Sequence, residues 1–374
     1  MTAITDIFTT INNNKMHEAI QILRQIPLDS MDEHGRSPLM CAVQKNNLLL
    51  TAACLNAGFS PNQKNKEQLS PFIAAAANGF SDIFQLLLAY QPQVTQTNQF
   101  GGTALLPSSE KGYLKVVQAA IRAGVPVDHV NRLGWTALLE AVILGDGGFL
   151  YQEIILELMR AQADVTITDF SGKNALDYAE ELHQPKVWAI LKQQYSDGFA
   201  DVRELLRAEK YFEALKQIAP LPDDTQKLFF LGYTFEMIKD YSASAFYYSE
   251  GLALDRQFSF YLANLENKRD NPEKALDYLD GGVRSTNSRF LRYHKTNFLR
   301  KLGRHKEAIE ETDRLLDELP NRVDYMFHKA NSLRSLGNTV AAIEVLSQAR
   351  VIMPQNPLFE EKMNRLMNKE KVQE

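Results

Sequence analysis

Between Asn131 and Gly148 a short polar stretch gives way to an apolar run, and the same change recurs along the first half of the chain. Asn131-Arg132-Leu133-Gly134 has the makeup of a tight turn: an Asx residue, then three positions on a glycine that tolerates positive φ. Thr136 offers a hydroxyl cap, Ala137-Leu138-Leu139 opens an apolar helix, and Gly145 is placed to end it in the left-handed conformation. Thirty-three residues back stand Asn98, Gly101, Thr103-Ala104-Leu105 and Gly112. One stride further back come Asn65, Ser70-Pro71-Phe72 and Gly79, with Gln68 in the turn-glycine place, and one more gives Asp32, Gly35 and Ser37-Pro38-Leu39. Forward of Asn131, Asp169, Gly172 and Asn174-Ala175-Leu176 complete five units. A turn followed by a helix at fixed stride predicts a solenoid. The fourth unit is longer, with 38 residues from Gly134 to Gly172 against 33 elsewhere. Its excess lies near Asp146–Tyr151, in the turn between its two helices, where extra residues are expected to decorate one face.

Residues 1–30 lack the turn pattern but carry two apolar stripes. Ile4, Ile7, Phe8 and Ile11 form one, and Ala19, Ile20, Ile22, Leu23 and Ile26 the other; a capping helix pair follows. Beyond Tyr195 the pattern changes. The first 195 residues carry 14 Lys or Arg and 18 Asp or Glu; the remaining 179 carry 27 and 28. Gly303 and Gly337, Ala308 and Ala342, and Pro320 and Pro354 are each 34 apart. Leu228-x-x-Leu231-Gly232-x-x-Phe235 precedes Tyr241 and Tyr248, and Ala214, Ser244, Ala275, Ala308 and Ala342 mark the small packing residue of five helix pairs. Leu358–Met367 reads as a closing helix with a charged outer face. The expected domains are a cap over 1–30, a first array over 31–195, a second over 196–356, and a closing helix and tail over 357–374. No Gly-, Ser- or Pro-rich linker separates the arrays, so they are expected to abut near residues 195–200.

The first series resembles the ankyrin repeat, a β-turn plus two helices every 33 residues, and the second resembles the tetratricopeptide repeat, a helix–turn–helix of 34. The expected fold is all-α, an ankyrin solenoid followed by a tetratricopeptide-like α-solenoid. Gly101–Tyr113 and Val127–Gly148 also resemble small bacterial ankyrin-repeat proteins, which implies a bacterial cytoplasmic protein and brings no catalytic residue.

Candidate chemistry is sparse. The chain has no phosphate loop, HExxH, GxSxG or CxxC, and its seven His include no i, i+4 pair. No cofactor or metal is expected. Ser108-Ser109-Glu110-Lys111 spells S-x-x-K, a match so short that the end of a helix is the better reading. Cys41 and Cys54 read as buried thiols. A net charge of −5 without a basic run speaks against nucleic acid, no apolar run is long enough for a membrane helix, and Met1–Asp6 lacks the start of a signal peptide.

The second array says more. Eleven positions before each small packing residue stand Arg203, Tyr233, Asn264, Asn297 and Asn331. Four earlier come Phe199, Phe229, Phe260, Tyr293 and Phe327; three later come Leu206, Glu236, Asn267, Arg300 and Arg334; Phe230, Tyr261, His294 and His328 lie between. These offsets share one helix face. In tetratricopeptide proteins that face lines a concave groove, so the resemblance implies aromatic walls, an amide floor and guanidinium groups at the C-terminal end. Asn, with both a donor and an acceptor, suits an extended backbone, and Asn264, Asn297 and Asn331 form a column although Asn is a poor helix former. Arg300 and Arg334 suit an acidic side chain or free carboxylate. In the first array Leu69, Phe100, Leu133, Trp135 and Phe170 stand at the finger tips, with Ile143 and Leu144 extending an apolar patch; these are expected protein contacts. The leading function is a non-catalytic protein- or peptide-binding adaptor. The alternatives are a bacterial regulatory or effector protein sensing a small peptide, and an enzyme using Glu140, Asp146 and Ser108–Lys111 in a cleft of repeats three and four.

Overall fold

The computed structural model describes residues 2–370, with side chains for 7–368. The side chain of Ile4, the side-chain reading of Met1–Asp6 and the end of the expected C-terminal tail lie outside the described residues. Within them every regular element is helical. Met1–Tyr195 and Ser196–Glu374 form two compact units.

The first unit opens with α1 (Thr2–Asn12) and α2 (Met16–Ile22), which continues into a 3-10 turn at Leu23–Gln25. Five helix pairs follow: α3 (Pro38–Gln44) with α4 (Leu48–Asn56), α5 (Pro71–Ala77) with α6 (Ser81–Leu88), α7 (Leu105–Glu110) with α8 (Leu114–Arg122), α9 (Ala137–Ile143) with α10 (Phe149–Arg160), and α11 (Ala175–Glu181) with α12 (Pro185–Leu191). The first helix of a pair starts where a hydroxyl or amide satisfies its free N–H groups. Ser37 Oγ accepts from the Met40 amide, Ser70 Oγ from Ile73, Thr136 Oγ1 from Leu139, and Asn174 builds a capping box with Asp177. Repeat three departs. Pro107 has no N–H to bond the Thr103 carbonyl, so α7 starts late. The buried Thr103 hydroxyl is left without a hydrogen bond among the described residues.

Each finger is held by its Asx residue. One side-chain oxygen accepts two backbone N–H groups, those of His34 and Arg36 at Asp32, Glu67 and Leu69 at Asn65, Phe100 and Gly102 at Asn98, Leu133 and Trp135 at Asn131, and Ser171 and Lys173 at Asp169. The turn glycine is required twice over at Gly134: its φ is +83°, and an added Cβ would lie 3.0 Å from the Phe170 ring. Gln68 takes the same conformation with φ +59°.

Two expectations for the long repeat are corrected. Gly145 is not left-handed, and Gly147 carries the positive φ instead. Gly145 is glycine because a Cβ there would lie 2.3 Å from the Ala141 carbonyl oxygen and 2.5 Å from the Tyr151 ring. The extra residues do not decorate a face. Phe149, Leu150 and Tyr151 form the buried first turn of α10.

Side chains also cross four of the repeat boundaries to carbonyls at or just past the end of the preceding first helix, where carbonyls lack a partner inside the helix. Lys45 donates to Asn12 O, Lys111 to Ala77 O, Tyr151 to Glu110 O, and Gln184 to Val142 O and Gly145 O.

The second unit is five further pairs: α13 (Ala200–Arg207) with α14 (Tyr211–Ile218), α15 (Thr225–Ile238) with α16 (Tyr241–Leu254), α17 (Phe258–Lys268) with α18 (Pro272–Thr286), α19 (Arg289–Lys301) with α20 (His305–Glu318), and α21 (Val323–Ser335) with α22 (Thr339–Ile352). A closing helix, α23 (Pro357–Glu370), buries Leu358, Phe359, Met363 and Leu366. Ala214, Ser244, Ala275, Ala308 and Ala342 all have 0% exposure, as residues at the closest approach of two helices must. Buried carboxylates of this unit have partners, mostly within their own helix pair. Glu266 accepts from Asn271 and Lys274, Glu311 meets Lys295 and Arg314, and Glu236 meets Lys268 and Tyr248.

Candidate functional site

The first helices of the second unit present the residues singled out above at successive turns. Asn264 on α17 lies just below the surface, while Asn297 on α19 and Asn331 on α21 are half-buried. The Asn297 Nδ2 group is buried and without a hydrogen-bond partner among the described residues. Its Oδ1 accepts from Arg300 Nη1 at 3.4 Å. Arg300 Nη1 also donates to His328 Nδ1, and Tyr293 Oη lies 3.3 Å from His328 Nε2. His305, at the head of α20, has its imidazole held below the usual value by burial first, and then by the positive charge of Arg300 and Arg334. Two guanidinium groups, two imidazoles and the Asn297 amide therefore share one region of α19, α20 and α21.

The position three residues after the Asn column changes character along the unit. Glu236 is buried and paired with Lys268 on the next first helix. Asn267 takes a 3.1 Å hydrogen bond from Lys301, one unit further on. Arg300 and Arg334 follow. The row runs from acid through amide to guanidinium. These cross-unit pairs were not read from the sequence; the matching stride of Lys268 and Lys301 was the available signal.

The aromatic residues do not line this face. Phe260 and Phe327 are 1% exposed and Tyr293 is also buried, which corrects the expectation of groove walls. Their rings are used in packing: Phe260 meets Phe290 edge-on at 4.8 Å, Phe229 meets Tyr261 at 5.1 Å, and Tyr293 meets Tyr325 at 5.6 Å. His294 is likewise buried, 4.4 Å from Phe260 and 4.5 Å from Phe290, and serves as packing. Arg203, at the floor position of the first pair, is closed off by a two-pronged ion pair to Asp197 at 2.6 and 2.7 Å.

In the first unit the finger tips are mostly covered. Trp135 is 7% exposed, its indole N–H 3.4 Å from Asp169 Oδ2 of the next finger, and Leu133, Ile143 and Leu144 are buried with it. The expectation that these four face a partner is corrected. Their burial takes them out of reach of a partner. Leu69 and Phe100 are half-buried, and Phe170 stands 66% exposed.

The residues of the enzyme reading take part in local hydrogen bonds. Ser108 Oγ bonds the Ala104 and Leu105 carbonyls, Lys111 caps Ala77, Asp146 Oδ1 accepts from the Gly148 amide, and Glu140 Oε1 accepts from Asn131 Nδ2 at 2.8 Å. No group of three or more His, Cys, Asp or Glu fit to hold a metal occurs among the described residues, and no helix there is long and apolar enough to cross a membrane.

Comparison with known proteins bears on the first unit. The family profile for ankyrin repeats, in three copies, matches residues 7–98 and 72–169. The chain is 30% identical over 157 residues to the ankyrin repeat protein YahD of Escherichia coli (strain K12), covering 42% of this chain and 78% of that protein. It is 25% identical over 134 residues to the Homo sapiens transient receptor potential cation channel subfamily A member 1, spanning only 12% of the channel. Among solved structures, an ankyrin repeat domain from Acinetobacter baumannii AYE is similar with a TM-score of 0.49 and 36% identity, covering 50% of this chain and 97% of that one. With five Asx-capped fingers each followed by a helix pair, and a relative matched over most of its length, the chain belongs to the ankyrin-repeat proteins.

Proposed function

We propose that this protein is a non-catalytic adaptor with two binding surfaces. Ankyrin arrays are interaction scaffolds, and the first unit is read here as a protein-binding one, with Phe170, Phe100 and Leu69 as its available apolar tips. The second unit is read as a tetratricopeptide-like array whose first helices line a groove for an extended peptide. Asn264, Asn297 and Asn331 would bond the peptide backbone, and Arg300 and Arg334 an acidic side chain or terminal carboxylate. A bacterial, cytoplasmic setting belongs to the same reading.

The observation that carries it is Asn297. A buried amide donor with no partner is costly in a folded chain, by ~1–3 kcal/mol. The cost is met if the group awaits a carbonyl. The acid-to-guanidinium row favours an oriented ligand, with its negative end toward α19 and α21.

The test is a calorimetric titration of the full chain with an acetylated hexapeptide of alternating alanine and serine, as the free acid and as the C-terminal amide. The acid should bind more tightly. Asn297→Ala and Asn331→Ala should each weaken it by ~1 kcal/mol, about fivefold, and Arg300→Ala or Arg334→Ala by ~1.5–3 kcal/mol. Equal binding of acid and amide, or no change in every Asn variant, would remove the groove reading.

A further inference from the structure

Arg300 is held by an unusual partner. A guanidinium has only N–H donors, so where Arg300 Nη1 meets His328 Nδ1 that ring nitrogen must be bare. The ring proton then sits on Nε2, directed at Tyr293 Oη 3.3 Å away. His328 in this arrangement is neutral, and both of its nitrogens are engaged. A proton added at Nδ1 would set two donors against each other beside a second cation, and the contact to Arg300 could not persist.

From this geometry we infer that His328 is a positioning residue that gates Arg300: neutral, it holds the guanidinium back; protonated, it releases Arg300, and the two cations together clasp the carboxylate of the peptide. The inference rests on the groove reading above and adds its regulation. An anion that engages Arg300 must either displace it from His328 or arrive with a proton for Nδ1. Uptake of that proton turns a competing acceptor into a second donor, so binding and protonation favour each other.

The surroundings bear on the charge balance. From α19 the ring is faced by Arg300 and Tyr293, and α20 brings His305, close enough to both guanidinium groups to feel their charge. On α21 itself Arg334 lies further along, and Lys329 is paired with Asp313 of α20 at 2.6 Å. The other α20 carboxylates with ion partners point elsewhere: Glu307 to Arg304, Glu311 to Lys295, and Glu318 to Arg289. α22 carries Glu344 and Arg350, and from α23 Lys362 lies over the ring of Phe327, the neighbour of His328. The Arg300 charge against the ring makes protonation depend on an incoming anion, which is what couples the two events.

The experiment compares wild type, His328→Gln and His305→Gln as full chains. The free-acid hexapeptide and its amide are titrated at about pH 5.5 and about pH 8, on either side of the ordinary imidazole range. Gln at 328 can still accept from Arg300 but does not titrate. Wild type should bind the acid more tightly at the lower pH, by up to about tenfold per pH unit, the limit for uptake of one proton. His328→Gln should lose most of that profile, and His305→Gln only the smaller part that comes from the coupling of its imidazole to Arg300 and Arg334. Imidazole nitrogen NMR of the wild type supplies a readout that needs no variant. His328 should show a bare Nδ1 in the free protein at the higher pH and two protonated nitrogens in the complex. An unchanged pH profile in His328→Gln, or a His328 that carries its proton on Nδ1 when free, overturns the gating inference alone. No binding of either peptide at either pH overturns the groove reading together with it.

Discussion

The fingers of the first unit share one backbone cap but use the spare side-chain atom in opposite ways, and Asn131 is where the difference can be measured. Its Oδ1 accepts two backbone amides, and its Nδ2 donates to the buried Glu140 carboxylate at 2.8 Å. At Asp32 and Asp169 the spare atom is an oxygen that accepts from Arg36 at 2.6 Å and from Tyr178 at 2.6 Å. Burial alone would raise the Asp32 carboxyl, but hydrogen bonds from the Arg36 backbone and side chain outweigh it and hold it below the usual range. Burial is outweighed at Asp169 in the same way, by Ser171, Tyr178 and Lys173. Asp thus suits this position when the partner donates. Asn131→Asp would keep the backbone cap but set a carboxylate against Glu140. The lost charge-assisted bond is worth ~1.5–3 kcal/mol. Two charges about 4 Å apart in partly buried surroundings repel by ~4 kcal/mol. Proton uptake limits the penalty, because holding one ordinary carboxyl protonated at neutral pH costs about 4 kcal/mol. The expected loss is therefore ~3–4 kcal/mol at about pH 7. In the folded variant the shared proton raises the pair's affinity for hydrogen ion above its unfolded value. The variant's deficit relative to wild type is then smallest below about pH 4 and grows as pH rises, leaving ~1 kcal/mol of damage at the acid end. Adding Glu140→Gln should restore most of the loss at neutral pH. Both tryptophans, Trp135 and Trp188, lie in the first unit, so urea unfolding followed by their fluorescence reports on that unit. The same loss at acid and neutral pH, or no rescue by the second change, would refute the pairing argument.

Three further outcomes are expected. Gly232→Ala would place a Cβ 2.4 Å from the Tyr248 ring and should cost ~1–3 kcal/mol by circular dichroism melting, while Gly281→Ala, with nothing within 4 Å, should be neutral or stabilise by up to ~1 kcal/mol. Trp135→Ala should lower the stability of the first unit by ~3–5 kcal/mol, followed through Trp188 fluorescence, because the side chain is a packing element. Burial pushes the Cys41 thiol up to about 11 and the Cys54 thiol up to about 12, so a chromogenic disulfide reagent at about pH 8 should label neither until urea opens the first unit.

The repeating skeleton was legible because turns with positive φ and free helix ends each demand a narrow set of residue types. Asn, Gly and Ser at fixed spacing could not be mistaken for core. Gly145 misled because two causes ask for the same residue: a left-handed cap and a ring pressed against the backbone both require glycine, and Tyr151 supplies the second. Thr103 misled because its motif is intact while Pro107, four residues on, removes the bond that would place it. Spacing identified the helix face carrying Phe260 and Asn264 but not which edge of it turns inward. A stripe at i, i+1, i+4 and i+7 is wide enough to hold both core and surface, and the rings went to the core. The Asn131–Glu140 pair joins residues whose distance in sequence carries no local signal, and the Lys268–Glu236 and Lys301–Asn267 bonds left only the matching stride of the two lysines as a trace.

Arrays of this kind are usually thought to grow and shrink by duplicating or deleting a unit. The bonds that cross the boundaries in the first unit oppose that freedom. Lysine reaches back at Ala77, a tyrosine hydroxyl at Glu110 and a glutamine amide at Val142 and Gly145, each with its own length and stiffness. Excising the 33 residues of repeat three would bring the Tyr151 ring to a boundary built for a flexible ammonium, and the longer first turn of α10 with it. Inserting a copy would leave one boundary with a donor of the wrong reach. Descendants of this chain should therefore vary in the residues of each repeat far more readily than in the number of repeats.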